Sequence, residues 1–246
     1  MEPMNIAHIH FAKIDSTNTW AKEHADEFDR NNLTVVIADE QTAGRGRWKR
    51  RWESPPHENI YVSFCCFVDE KRPDIGHIPQ LLALAAAYVV ESLGLNAKLK
   101  WPNDLLIAGK KIGGILCETV SLSPYRCVIT GIGLNVNMPL EALQLIDRPA
   151  TSLFAETGYI HFVESVFEAL QLRFTEMLPL FLESGFDTFF PAFAERSFYH
   201  PGQPVRFHDN QKIIEGTFYC LDPNGSVILE LPSGERRVFN AGEFLF

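Results

Sequence analysis

Gln41-Thr-Ala-Gly-Arg-Gly-Arg47 interleaves two arginines with glycines. Glycine lets a backbone come close to a ligand, and a guanidinium offers a fork of donors that matches phosphate or carboxylate. A solvated basic turn is the plainer reading, but the position directly after an apolar run favours anion binding. Trp48 and Trp52, set among Lys49, Arg50 and Arg51, also fit a stacking-and-charge surface for single-stranded nucleic acid. Lys100-Trp-Pro-Asn-Asp104 presents an amide and a carboxylate, suited to Mg²⁺ or to an attacking amine, although the same residues make an ordinary turn. In Gly109-Lys-Lys-Ile-Gly-Gly-Ile115, Lys111 is followed by Gly113 and Gly114 inside an apolar run. Glycine weakens a strand unless a backbone or ligand must come close, so this segment reads as a ligand-facing strand or as a bulge. Gly131-Ile-Gly-Leu-Asn135 repeats the pattern and ends in an amide.

Other chemistries find no support. The glycines at 131 and 133 lie within a strand with no helix after them, unlike a dinucleotide-binding fingerprint. No G-x-x-x-x-G-K-[ST] run is present, which excludes a P-loop. His8, His10 and His24 lack metal-ligand spacing, and Cys65 and Cys66 sit in an apolar run and read as core.

The elements that must position these residues follow from pattern. Asp15-Ser-Thr-Asn18 offers helix-capping side chains ahead of a short helix reaching about residue 28. Residues 33–38 and 60–68 read as strands, and 39–56 as a long loop of the kind that serves as a lid or binding loop. Pro79 and Gly94 bracket a helix over 77–93. Strands follow at 97–101, 105–107, 112–120 and 126–138, the middle two joined as a hairpin through Ala108-Gly-Lys110. Apolar residues from Phe162 to Leu178 recur at helical spacing, and Pro179 is expected to kink or end that helix. A further helix is expected over 186–195. Beyond His200, turn signals recur between short β-rich runs, which divides the chain into a mixed α/β domain at 1–197 and a small all-β module at 198–246. Turn-linked neighbouring strands predict a mixed sheet.

Composition bounds the rest. The chain has 246 residues, 46% hydrophobic and 22% charged, enough for a sizeable core. Acidic residues outnumber basic ones 31 to 22, a net charge of −9, which disfavours non-specific nucleic-acid or membrane binding. The longest near-continuous apolar stretch, Leu81 to Val90, is short for a membrane span, and no signal peptide is evident. Five cysteines without a C-x-x-C pair argue against a disulfide framework or structural zinc and fit the cytoplasm.

In order and spacing, Asp15-Ser-Thr-Asn18, Gln41–Arg47, Lys100–Asp104, Lys111-Ile-Gly-Gly-Ile-Leu116 and Gly131–Asn135 resemble the biotin protein ligase family, as do Ala150-Thr-Ser-Leu153 and the turn-rich C-terminus. The resemblance covers nearly the whole chain. It implies an α+β fold, a mixed β-sheet with flanking helices of the class II synthetase-like kind, followed by a small SH3-like β-barrel. It implies an enzyme that activates biotin with ATP and Mg²⁺ as biotinyl-5'-AMP and transfers it to a lysine of a biotin carboxyl carrier protein, often of acetyl-CoA carboxylase. Some members carry an N-terminal helix-turn-helix that represses transcription; motifs beginning at Asp15 leave no room for one here, so specific DNA binding is not expected.

By the same resemblance, Ser16, Thr17, Asn18 and Gln41 hold biotin's ureido ring and its neighbouring atoms. Gly114 and Gly131 border the biotin site, and Arg45, Gly46 and Arg47 form the loop closing over biotin and the adenylate. Lys111 contacts the biotin carboxylate and the α-phosphate. Arg47, Arg50, Asn103 and Asn135 lie near ATP, and Asp104 orients the acceptor amine. Lys111, Arg47 and Asp104 are the expected catalytic residues, and Mg²⁺ is expected to come with ATP rather than on a protein-only site. Family loops continue with a further Gly-Arg where this one reads Trp48-Lys49-Arg50, so the residue serving pyrophosphate stays open among 45–51. A lipoate ligase or octanoyl transferase of the same architecture is the nearest alternative; a single-stranded nucleic-acid-binding module is the alternative of another class.

Overall fold

The computed structural model describes residues 4–245. Seven strands form the larger sheet: β1 (Ile6–Phe11), β2 (Leu33–Ala38), β3 (Asn59–Asp69), β4 (Ala97–Lys100), β5 (Asp104–Ile107), β6 (Lys110–Leu122) and β7 (Tyr125–Asn135). Their order is β1-β2-β3-β7-β6-β5-β4. β1 and β2 run parallel, and the remaining neighbours pair antiparallel. The expected mixed sheet is therefore observed, with β1 as an edge strand that the sequence reading did not include.

Strand alternation sorts side chains to two faces. Val35, Val62, Phe64 and Val128 join the core beneath two long helices, while Val36, Cys65, Cys127 and Ile129 meet Ala21, Ala25 and Phe28 on the other face. On that second face lies α1 (Thr17–Glu23), capped by Ser16, whose hydroxyl accepts from Thr19 N. The helices on the first face are α2 (Ile78–Ser92) and, after the short α3 (Leu140–Leu143) and α4 (Leu153–Thr157), the long α5 (Val163–Ser184). By length and composition alone, residues Ile75–Ser92 could cross a membrane, but 67% of that stretch is buried inside the fold, as suits a core helix.

Of the kink or end expected at Pro179, the end does not occur; α5 runs on to Ser184. Met177, Leu178 and Phe181 are buried on either side of the proline. Their burial, at about 1.5–3 kcal/mol per large apolar side chain, offsets a lost hydrogen bond and ring clash of about 3 kcal/mol. The helix expected over 186–195 is shorter, α6 (Phe190–Glu195).

Ala108 and Gly109 both have positive φ, 48° and 76°, the geometry of a two-residue hairpin turn between β5 and β6. Register then shifts, because Leu105 pairs with Gly113 but Leu106 with Lys111, so Ile112 is an extra residue. The segment around Lys111 is thus both bulged and site-facing. The bulge carries Lys111 over Gly114, whose Cβ, if present, would lie 2.9 Å from Lys111 Cε.

The C-terminal strands β8 (Pro204–His208), β9 (Ile213–Leu221), β10 (Val227–Glu230), β11 (Arg236–Phe239) and β12 (Glu243–Leu245) form a second, antiparallel sheet in the order β11-β10-β9-β8-β12. A closed barrel was expected; among the described residues β12 is spent on β8 and no pairing joins it to β11, so the hydrogen bonding stays open. This sheet packs on the larger one through Trp101, whose ring meets Phe207 and Phe244 and whose Nε1 donates to Gly225 O at 2.8 Å.

Candidate active site

One end of the site is neutral and buried. The start of α1 and the central strand β3 bring Thr17, Asn18 and Ser63 together, all under 5% exposed. Ser63 Oγ lies 2.8 Å from Thr17 Oγ1 and 2.6 Å from Asn18 Oδ1. Thr17 N donates to Gln41 Oε1 at 2.9 Å, and Gln41 Nε2 donates to Ser54 Oγ at 3.2 Å. Gly131 makes room for this cluster, since a Cβ there would sit 2.1 Å from Asn18 Oδ1.

The other end is charged. Lys111 Nζ donates to Asp104 Oδ1 at 2.5 Å, with both side chains less than one-fifth exposed. Asn103 Nδ2 donates to the Ile115 carbonyl, which joins the β4–β5 turn to β6. Asn135 Nδ2 donates to Thr151 O at 3.0 Å. Burial pushes the Lys100 ammonium down to about 8, against the opposing pull of Asp104 and Glu243.

The loop between β2 and β3 crosses both ends. Gly46 N bonds Arg50 O and Trp52 N bonds Gly44 O, which folds residues 44–52 into a narrow arm. Arg45 on its outer side pairs with Glu118 at 2.9 Å. Arg47 Nη2 donates to Gly242 O at 2.9 Å, and Arg50 pairs with Glu243 at 2.5 and 2.8 Å. The C-terminal sheet thus holds the arm's inner side. Burial lowers the Arg47 guanidinium below its ordinary value. Burial also pushes Glu243 up, but the Arg50 hydrogen bond and charge outweigh it and leave the carboxyl below its usual range.

Trp52 lies across Gly133 of β7 and Gly114 of β6: a Cβ at Gly133 would fall 2.3 Å from its Nε1, and one at Gly114 3.3 Å from its ring. Lys111 Nζ stands 5.5 Å from the Trp52 ring centroid, a cation–π contact. The two tryptophans therefore do not form one stacking surface; Trp48 is half exposed, while Trp52 is packed onto the sheet with its indole N–H buried and unpartnered.

Every residue proposed from sequence for the site lines one cleft: Ser16, Thr17, Asn18 and Gln41; Arg45, Gly46, Arg47 and Arg50; Asn103, Asp104, Lys111, Gly114, Gly131 and Asn135. The sequence reading gave no role to Lys100 or Ser63, placed Trp52 only on a nucleic-acid surface, and missed Glu243, whose position far along the chain carries no local signal. Among the described residues no group of three His, Cys, Asp or Glu could hold a metal ion. The cysteines are free thiols.

Comparison with known proteins places the fold in one class. The chain belongs to the biotin/lipoate A/B protein ligase family, whose model matches residues 10–135; residues 200–246 match the biotin protein ligase C terminal domain. Among relatives, the chain is 35% identical over 232 residues to the bifunctional ligase/repressor BirA of Bacillus subtilis (strain 168), covering 88% of this chain and 68% of that protein. It is 31% identical over 246 residues to the biotin--[acetyl-CoA-carboxylase] ligase of Paracoccus denitrificans, covering 96% and 98%. The structure resembles biotin protein ligase from Aquifex aeolicus in complex with biotin and ATP, with a TM-score of 0.80 and 29% identity over 98% of this chain and 97% of that one.

Proposed function

We propose that this protein is an ATP-dependent biotin ligase that joins biotin to AMP and passes the biotinyl group to a lysine of a biotin carboxyl carrier protein. The observation that carries this reading is the meeting, in one glycine-floored cleft, of a neutral hydrogen-bonding cluster and a cluster of cations. A ureido ring needs placed donors and acceptors in a dry pocket, while a carboxylate approaching a triphosphate needs positive charge. The names of the relatives and the C-terminal match favour biotin over lipoate.

Thr17, Asn18, Ser16 and Gln41 hold the ring in this reading. Lys111 and Arg47 reduce the repulsion as a carboxylate oxygen bonds to the α-phosphorus and pyrophosphate leaves. Magnesium, carried in on the phosphates, supplies further charge neutralisation; the nearby carboxylates Asp104 and Glu243 are both engaged in ion pairs, which suits a metal brought by the nucleotide. The arm bearing Arg45 and Gly46 shields the mixed anhydride from water. Asp104 then orients the carrier's neutral amine, whose nitrogen bonds to the acyl carbon as AMP leaves and a proton is lost. We further propose a cytoplasmic setting, consistent with free thiols and ATP use, and a division between a catalytic domain at 1–197 and a C-terminal domain at 198–246.

The test is incubation with ATP, Mg²⁺ and a purified carrier domain, with biotin and lipoate supplied separately. The expected result is a biotin-dependent mass increase on one carrier lysine. No increase with biotin, or an equal one with lipoate, overturns the reading.

A further inference from the structure

Glu118 stands on β6 just outside the cleft lining, and donors from two other elements converge on it. Lys22 Nζ lies 2.9 Å from Oε1, and Arg45 Nη2 lies 2.9 Å from Oε2. Asn18 Nδ2 reaches the same Oε2 at 3.2 Å and the Leu116 carbonyl at 3.1 Å. The Glu118 side chain is 18% exposed, whereas Lys22 and Arg45 are each about 40% exposed, so the carboxylate is the fixed centre of the group.

The consequence for Asn18 is geometric. Its amide nitrogen has two N–H bonds, and Leu116 and Glu118 accept both. The amide oxygen must then face Ser63 Oγ, 2.6 Å away, and lie over Gly131, where a Cβ would sit 2.1 Å from it. An asparagine amide without such acceptors can turn over and present its NH₂ instead. Glu118, together with the Leu116 carbonyl, therefore sets the face that Asn18 turns to the pocket. Through Arg45 it also holds the outer side of the 44–52 arm against the sheet.

We propose that Glu118 is a positioning residue: one carboxylate sets the orientation of Asn18 in the ring-binding cluster and clamps Arg45 of the closing arm. The inference rests on the biotin-ligase reading and deepens it. Ring recognition and closure are then set together by a residue with no place in the reacting atoms' surroundings.

The test is Glu118→Gln, nearly the same size without the charge, measured by biotin-dependent pyrophosphate exchange and by escape of free biotinyl-adenylate. The expected result is a biotin KM raised about tenfold and a comparably faster escape, with kcat within about twofold, the size of effect a partly buried charge cluster supports. Arg45→Ala and the double variant should release adenylate equally fast, because Glu118 acts on escape through Arg45. Glu118→Asp, which restores the charge, should recover part of the retention. Unchanged KM and escape in a Glu118→Gln protein that melts like the wild type overturn the proposal.

Should Glu118→Gln not fold, the wild-type protein carries the test. Salt screens the exposed Lys22 and Arg45 pairs, so adenylate escape must quicken as NaCl rises, and a rate flat with salt overturns the clamp. Absence of biotin-dependent exchange in the wild type is a different outcome, which removes the functional reading itself.

Discussion

The two ends of the cleft are built on opposite principles. At the Thr17–Asn18–Ser63 end the groups are neutral, almost fully buried and hydrogen-bonded to one another. At the Lys111–Asp104 end they are charged and held by ion pairs, and Arg50 reaches across to Glu243. A neutral network loses little by desolvation and can be set rigidly before a ligand arrives. A charged site left empty must keep its cations paired, and those partners can be exchanged for an anionic ligand. Specificity is thus expected to reside in the first end and rate in the second.

The sharpest way to break that division is Lys111→Ala. Loss of this cation should lower biotin-dependent pyrophosphate exchange by about 100-fold or more. The melting temperature should also fall, because Asp104, less than one-fifth exposed, loses its partner. A folded variant with unchanged exchange removes Lys111 from the chemistry.

Gly131→Ala probes the neutral end. The added Cβ would fall 2.1 Å from Asn18 Oδ1, so the amide must move. Biotin KM should rise about tenfold or more, and stability should fall by about 1–3 kcal/mol as expected of overpacking. An effect on ATP KM rather than biotin KM would reverse the assignment of the two ends.

Arg50→Ala should have a smaller effect. The pair with Glu243 is partly exposed and worth about 1 kcal/mol at most. Loosening the inner side of the arm should raise ATP KM by about fivefold and leave biotin KM unaltered. Equal shifts in both would show that the arm serves the two ends together.

The remaining effect is on stability rather than turnover. Lys100 titrates near 8 in the folded protein, lowered by burial from an ordinary value of 10.5. Between those values the unfolded chain binds more protons, so stability should rise as pH increases from about 8 to 10. Denaturant midpoints across that range should show the rise, and Lys100→Met should remove it.

Contiguous signals made much of this molecule legible. Ala108-Gly109 announced its hairpin, and the glycines at 113, 114, 131 and 133 announced a surface that something must approach closely. The Trp52 indole turned out to be one such occupant. Partners distant in sequence were not legible. Glu118 meets Lys22 and Arg45 across 96 and 73 positions, and Glu243 meets Arg50 across 193. Neither carboxylate sits in a recognisable pattern. The continuation of α5 through Pro179 was hidden for a related reason, since only tertiary burial overrides the local break. The edge strand β1 was obscured by its alternating His8 and His10, whose partners Gln171 and Asp39 lie far along the chain.

The tryptophan lying on Gly133 and Gly114 gives the protein an optical handle of its own. Trp101 is already bonded to a backbone carbonyl, Trp20 is stacked on His24 and Trp48 is half exposed beside Arg47, so none shares the surroundings of Trp52. The Trp52 indole, with its N–H unengaged and a lysine over its face, should change emission colour and intensity when a guest enters. Occupancy can then be titrated in a cuvette without attaching a dye.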